Sequence, residues 1–431
     1  MNTTTATLPD SASHTYEQVA TASNEVAGLL AKRLKTETQG EVLFTAADRG
    51  RYATDASIYQ VTPLGVFVPK HAEEVATAMA ICRDLKVPIV PRGGGTSQCG
   101  QTTGVGLVID HSKYVRNILN LDLQAGTVEV QPGMVLDSLN ASLKKHGVWF
   151  PVDVSTSAQA TLGGMAGNNS CGSRSIAYGN MVHNVLGAKA WLSNGELLDF
   201  SQFENSNGRA KQIGQFVKQL AVDHQAELQT NWPKVLRRVA GYNLDIFDNQ
   251  NERPYTPDGK VNLSHLLVGS EGMLAITTEV TVKLVPKPQL ARCIMASFDD
   301  IRKAGDAVAA VIAAGIIPAG LEMMDKPMTA AVEDFVHAGY DLNAEAILLC
   351  ESDGTPEEVE EEIGRMSDVL RGCGATAIAV SKDEAERLRF WSGRKNAFPA
   401  SGRISPDYMC MDSTIPRKRL ADILLAIAEM E

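Results

Sequence analysis

The chain has 431 residues, with 40 Lys and Arg against 51 Asp and Glu, a net charge of −11, and is 44% apolar and 21% charged. That balance excludes a disordered chain and argues against a nucleic-acid binder, because a net negative surface does not attract phosphate backbones. At about 150 residues per domain, the length leaves room for two or three domains.

Seven cysteines (Cys82, Cys99, Cys171, Cys293, Cys350, Cys373 and Cys410) form no C-x-x-C pair. This argues against a zinc ribbon, an iron–sulfur site and a disulfide framework, and a reduced cytoplasmic setting is expected. No Lys or Arg precedes Lys32 and no apolar h-region follows the start, so no signal peptide is expected. The apolar stretch Ala307–Leu321 has 15 residues, short of the about 20 that a spanning helix needs, and reads as a buried helix running into a strand.

Taken in chain order, residues 1–14 are Thr/Ser/Ala-rich and expected to fray. A helix is expected from Tyr16 to Leu34. Val66–Pro69 reads as a strand, His71–Asp84 as a helix with Val75, Met79 and Cys82 on one face, and Val87–Val90 as a strand. Further strands are expected at Leu107–Ile109 and Thr127–Val130, with a helix over Val135–His146. Val185–Leu192 and Leu197–Phe200 read as a hairpin closed by a two-residue Asn194-Gly195 turn. Residues 201–255 are polar and illegible. Leu274–Leu284 alternates as a strand and stops at Pro286-Lys287-Pro288, the expected domain boundary. Beyond it, Cys293–Phe298, Ala346–Cys350 and Ala375–Val380 read as strands. Asp300–Ala314 and Pro356–Arg371 read as helices. Two β–α–β passages predict a small antiparallel sheet with helices on one face. Ala385–Trp391 and Pro416–Glu431 are the last expected helices.

The strongest chemical signal follows the strand at Val87–Val90: Pro91-Arg92-Gly93-Gly94-Gly95-Thr96-Ser97. Adjacent glycines let backbone amides turn together toward an anion, and two hydroxyls add donors. Gln98 stands where a dinucleotide fingerprint needs its third glycine, and no Gly-Lys-Ser/Thr follows, so neither a Rossmann turn nor a P-loop is present. A second loop, Thr161 to Gly172, is rich in Gly and Asn, and Tyr178-Gly179-Asn180 comes soon after. A third, Gly269-Ser270-Glu271-Gly272, enters a long strand. Three such loops abutting strands suit a large phosphate-bearing ligand; three unrelated tight turns are the alternative.

These segments resemble the flavin-linked oxidases of the vanillyl-alcohol-oxidase (p-cresol methylhydroxylase) type. Within them, the likeness is to D-2-hydroxy-acid dehydrogenases and the flavoprotein D-subunits of glycolate oxidases. Tyr52–Ser57, Pro63–Pro69, Val239–Leu244, Leu267–Gly272, Trp391–Pro399 and Ser405–Pro416 extend the resemblance through most of the chain. It implies an α+β protein: an N-terminal helical segment (1–55), a two-lobed FAD-binding domain of the p-cresol methylhydroxylase type (56–287) and a ferredoxin-like substrate domain (288–431). It implies non-covalent FAD, held by Pro91, Arg92, Gly93, Gly94, Gly95, Thr96, Ser97, Pro151, Thr161, Gly163, Gly164, Gly167, Asn168, Gly172, Tyr178, Gly269, Glu271, Gly272 and Ile276. The pyrophosphate would sit on Gly93–Ser97 and Gly163–Asn168. His111 and His183 read as surface or supporting residues rather than covalent attachment points.

The implied reaction is oxidation of a D-2-hydroxy acid to the 2-oxo acid, with Arg394 as the substrate-carboxylate residue. Cys410 and Met411 stand where dicarboxylate relatives carry a Lys, which favours a glycolate- or lactate-type monocarboxylate. The family's H-x-G-D-G-N-x-H and G-E-H-G segments are absent, and no His follows His337. The substrate domain is therefore expected to lack its last strands, and no metal site is expected in this chain. Electrons would leave to a separate acceptor, an iron–sulfur subunit or the quinone pool, with peripheral membrane association as one arrangement. A flavin-binding subunit that needs a partner for activity, and a nicotinamide reductase of the same fold, stay open as alternatives.

Overall fold

The computed structural model describes residues 16–202, 208–235, 237–247 and 261–430. The Thr/Ser-rich start and part of the polar 201–255 segment lie outside them.

The helix Tyr16–Glu37 leads into a four-stranded sheet of β1 (Glu41–Leu43), β2 (Gly65–Val68), β3 (Ile89–Arg92) and β4 (Leu107–Asp110), in the order β1-β2-β4-β3. β2 and β3 both run parallel to β4, and β1 adds antiparallel. The helix Glu74–Leu85 crosses from β2 to β3. Its buried stripe, Val75, Ala78, Met79 and Cys82, packs with Leu30 and Leu34 against Phe67, Leu107 and Ile109. β2 and β4 are buried along their whole length, as parallel strands covered on both faces must be.

The next lobe contains β5 (Ile118–Asp122), β6 (Thr127–Val130), β7 (Val148–Trp149), β8 (Val185–Trp191), β9 (Leu197–Asp199) and β10 (Ile276–Lys283). Its antiparallel sheet runs β5-β6-β10-β8-β9. Val280 and Val282 of the central β10 pack against the helices Leu136–Leu143 and Leu162–Asn168. The β8–β9 turn is longer than two residues. Leu192 N–H donates to the Glu196 carbonyl at 2.9 Å and Gly195 N–H to the Leu192 carbonyl at 2.8 Å. Gly195 sits at φ +88°, where a three-residue loop needs a left-handed residue.

β11 (Val285–Pro286) pairs with β7, and the chain then enters a sheet of β12 (Leu290–Phe298), β13 (Gly320–Asp325), β14 (Ala346–Gly354) and β15 (Ala377–Val380). The order β13-β14-β12-β15, antiparallel throughout, is ferredoxin-like. Helices cover both faces of this sheet, not one. Phe298, Ala346, Leu348 and Cys350 meet the helices Ile301–Ala313 and Pro356–Gly372. Cys293, Ile347 and Leu349 point the other way, onto Ala331 and Val332 of Lys326–Val336 and Phe390 and Trp391 of Glu384–Lys395. The one-face expectation failed because a continuous apolar run hides the period of two: Ile347 to Cys350 are all fully buried. It also passed over the helix Lys326–Val336, and the strand expected at the end of Ala307–Leu321 runs on through β13, which carries Glu322 and Asp325 among its apolar residues.

Candidate functional site

β3 is an edge strand, parallel to its neighbour β4, and its chain leaves the carboxyl end straight into Gly93–Ser97. Ligands of open α/β sheets bind outside such strand ends. Facing this loop is the helix Leu162–Asn168, capped by Thr161, whose hydroxyl accepts from Gly164 N–H at 3.3 Å. The helix buries Leu162, Met165 and Ala166 in the second-lobe core. Gly163, Gly164 and Gly167 bring no side chains to the opposite side. The third loop hooks onto the end of the same helix: Gly269 N–H donates to Ala166 and Glu271 N–H to Gly167, both at 2.9 Å. Together these walls enclose a cavity of about 560 Å³.

Pro91 through Ser97, Thr161, Gly163, Gly164, Gly167, Asn168, Glu271, Gly272 and Ile276 line this cavity. Pro151, Gly172, Tyr178 and Gly269 do not. Pro151 is buried. A Cβ on Gly172 would strike the Asp153 carbonyl. Gly269, at φ +84°, serves the helix end just described. Arg394 is also outside the wall; its Nε donates to Glu322 at 2.9 Å. Residues without an assignment from the sequence complete the lining, among them Gln98, Gln101, Thr102, Cys171, Arg237 and Asp412, and His111 joins them.

The two glycine-rich segments differ in their hydrogen bonding. Gly163 N–H already donates to the Pro132 carbonyl at 2.9 Å and Gly164 N–H to Thr161. The amides of Gly94, Gly95, Thr96 and Ser97 donate to no other group among the described residues. Arg92 is not free to meet a ligand. Its guanidinium donates to the carbonyls of Thr54 at 2.8 Å, Tyr52 at 3.3 Å and Thr102 at 3.4 Å, and lies 5.3 Å over the Tyr52 ring. Burial lowers its pKa, and nearby Asp110 and Asp55 oppose that. Arg92 thus clamps the N-terminal segment and packs under Gly95, where any Cβ would meet it.

His111 is buried, its pKa is held below the usual imidazole value by desolvation, and its Nε2 has no partner among the described residues. Glu271 sits at φ +53°, and Asn168 Nδ2 donates to its carboxylate at 3.1 Å. Burial raises its pKa, against hydrogen bonds from Asn168 and Gln101. Asn169 braces the floor: its Oδ1 accepts from Val182 N–H at 3.0 Å and its Nδ2 donates to the Arg238 carbonyl at 3.3 Å. Arg238 is paired with the buried Asp245 at 2.5 Å. These contacts position Arg237, Val239 and Ala240 on the cavity wall.

A second polar cluster lies where the two domains meet. Glu351, fully buried on β14, receives Arg174, Arg387 Nη1 at 2.5 Å and Trp391 Nε1 at 2.5 Å. Asp353 accepts from Arg174 Nη1 at 2.9 Å and from the Tyr178 hydroxyl at 2.8 Å. Tyr178 therefore turns to this junction rather than to the cavity. Burial, the Asp353 charge and that hydrogen bond raise its pKa well above the usual phenol value.

A family model described as an FAD binding domain matches residues 63–201, and one for the C-terminal domain of FAD-linked oxidases matches 287–430. The chain is 40% identical over 393 residues to the glycolate oxidase subunit GlcD of Escherichia coli K12, spanning 90% of this chain and 68% of that protein. It is 31% identical to the Bacillus subtilis GlcD subunit, over 91% and 74% of the two chains. The chain belongs to the FAD-linked oxidase family. The Escherichia coli D-2-hydroxyglutarate dehydrogenase is 29% identical over 89% of this chain and 40% of its own length. Among solved structures, an alkyldihydroxyacetonephosphate synthase shares the fold at a TM-score of 0.68 and 18% identity, over 93% and 74% of the chains. A p-cresol methylhydroxylase does so at 0.58 and 15%, over 86% and 69%.

The cavity of this FAD-linked oxidase fits its cofactor. A dinucleotide pyrophosphate needs several donors in one place, and four adjacent uncommitted amides offer them. At Gly167 a side chain would enter near-open space on the cavity side of Leu162–Asn168, and His111 Nε2 is a further buried polar atom without a partner among the described residues.

Proposed function

We propose that this protein oxidises a short D-2-hydroxy acid, of the glycolate or D-lactate kind, to the 2-oxo acid. The observation that carries this reading is the set of unengaged Gly94–Ser97 amides, set against a side-chain-free helix face in a chain 40% identical to a glycolate oxidase subunit. When bound, FAD supplies the acceptor for the hydride equivalent that leaves the substrate's C2. In this reading the Gly94–Ser97 amides hold the pyrophosphate, Gly167 gives it room, Gly163 allows the helix to pack closely on Pro132, and Gly272 and Ile276 flank the adenosine end. Arg92 contributes by fixing the loop rather than by touching the ligand.

The assignment divides the chain at 1–55, 56–287 and 288–431. Electrons pass to a separate acceptor, an iron–sulfur subunit or a quinone, since two of the similar relatives are named as subunits. No described helix is long and apolar enough to cross a membrane. We place the protein in the cytoplasm, where its seven free thiols would stay reduced, with docking to the membrane's inner face as one arrangement.

The test is anaerobic mixing of purified holoprotein with glycolate, D-lactate and L-lactate, read as loss of the flavin absorbance near 450 nm. Bleaching by a D-acid or glycolate, but not by the L-isomer, is the expected result. A flavin that binds yet is bleached by none of them sinks the proposal in favour of a non-catalytic subunit. Bleaching by NADPH alone points to a reductase.

A further inference from the structure

We infer that the domain junction holds a second ligand site, which takes a small organic anion with an apolar body, an aryl carboxylate being the simplest case. The inference does not depend on which acid the flavin oxidises. A cavity of about 640 Å³ opens between the helix Leu136–Leu143 with the turn after it, β7, the 287–292 segment that enters β12, and the start of the helix Glu384–Lys395. That volume suits a small molecule, and domain interfaces are where such sites form. The cavity shares no lining residue with the flavin cavity. It is also apart from Arg394, which is bonded to Glu322 on β13. β13 is one edge of its sheet, whereas this cavity lies by β12 and the end of β15, toward the other edge.

The charges on its wall do not balance. Its two acids are engaged: Glu384 is held by Arg387 at 2.7 Å, and Asp383 accepts from Glu386 N–H at 2.8 Å. Arg174 and Arg387 are occupied by Glu351 and Asp353. Lys144, Lys287 and Lys382 also line the cavity, are exposed, and form no ion pair among the described residues. In a chain of net charge −11, three unpaired lysines around one cavity are not a general excess of cations. The same wall carries the apolar surfaces of Val148, Trp149, Pro288 and Leu290. Trp149 Nε1 and Arg292 Nε, on two lining residues, are buried donors without a partner among the described residues. Both side chains are fixed in place. Arg292 Nη2 pairs with Glu360 at 3.2 Å, and the Arg174 guanidinium lies 5.3 Å over the Trp149 ring. A buried donor without an acceptor is a cost that a ligand oxygen removes. Lysine charge and N–H donors together select an anion, and the apolar wall selects one that carries hydrocarbon.

Isothermal titration calorimetry of purified holoprotein with 2-naphthoate tests this. One equivalent should bind per chain, more weakly as salt rises, and should raise the melting temperature. 2-Naphthol, the same body without the charge, should bind at least tenfold more weakly. The triple variant Lys144→Ala, Lys287→Ala, Lys382→Ala should keep wild-type flavin content and lose at least tenfold in 2-naphthoate affinity. Lys218→Ala, at an exposed position on the helix Arg209–Asp223, should change nothing. Trp149→Phe, which keeps a ring and removes the N–H, should lose affinity several-fold; if it does not fold, the lysine variants still decide. Saturating glycolate should leave 2-naphthoate binding unchanged. Displacement by glycolate would make this the substrate's own site and overturns the inference. So does the absence of 2-naphthoate binding, and so does wild-type affinity in the triple variant. None of these outcomes bears on the proposed oxidation, which is read from flavin bleaching.

Discussion

The cavity and the domain junction are both polar, but they dispose of their hydrogen-bonding groups in opposite ways. Around the cavity, the amides of Gly94 to Ser97 and His111 Nε2 have no partner among the described residues. At the junction, Glu351 and Asp353 are packed round with donors from Arg174, Arg387, Trp391 and Tyr178. Unengaged donors in a concave wall mark a place kept for a ligand, whereas a self-satisfied charge cluster marks a place where the protein binds itself. Tyr178 illustrates the distinction. Its position just after the second glycine-rich loop suggests the cofactor, yet its hydroxyl is one of the bonds that join the two domains.

Breaking the junction should have the largest effect. Removing one partner of a buried ion pair costs about 3–5 kcal/mol, because the remaining charge is left without compensation. Arg174→Met, which takes the cation from Asp353 across the junction, should therefore lower thermal stability strongly, in both the apo and the flavin-loaded protein. Asp353→Asn in the same chain should recover much of the loss, since Glu351 keeps Arg387 as its partner at 2.5 Å. Differential scanning calorimetry of the single and double variants checks this; equal losses in both would show that the cluster is not a unit.

Acid should act on the lobe that carries the cavity. His265 is buried, its pKa is pushed down to about 4 by desolvation, and its Nε2 lies 3.1 Å from the Val185 carbonyl. The unfolded chain, with an imidazole pKa near 6.5, takes up this proton before the folded one does. Stability is therefore complete above about pH 6.5 and falls as pH drops toward 4, by ~3 kcal/mol in all. Melting temperatures measured across this range should show that slope, and His265→Gln should flatten it. A slope unchanged in His265→Gln would assign the acid sensitivity elsewhere.

Much of the site and most of the strands were legible because their causes are local. Three glycines after a short apolar strand, and the alternation through Ile276, Val280 and Val282, are visible within a few residues. The junction was not legible. Arg174 and Glu351 stand 177 positions apart, and charged residues in a sequence read as solvated surface. β5 was passed over because its residues are exposed or half-buried and offer no apolar run.

Flavin binding should respond to changes as small as one methyl group. A Cβ on Gly94 would fall well inside contact distance of the Gln159 carbonyl oxygen, a backbone atom that cannot rotate away. Gly94→Ala should therefore weaken FAD binding at least tenfold, about 1.4 kcal/mol. Fluorescence of flavin released in a dilution series measures it. Because the clash is with the loop's own backbone support, the apo protein should also melt lower than wild type, while the junction bonds stay intact.

The finest test separates two contacts within the cavity wall. A Cβ on Gly93 would collide with the Thr161 hydroxyl, and the next Thr161 atom lies 3.4 Å away, an ordinary contact. That hydroxyl also caps the helix Leu162–Asn168. Thr161→Ala alone should cost about 1 kcal/mol of stability, as the loss of a cap does. Gly93→Ala alone should reduce flavin affinity several-fold. Together they should be less damaging than their separate losses imply, since the atom in the way has been removed; directly touching residues couple by about 0.5–3 kcal/mol. A double-mutant cycle on FAD affinity gives this coupling. Strict additivity would mean that the Gly93 loop and the Thr161 cap reach the cofactor independently, and that the two walls of the cavity are not one construction.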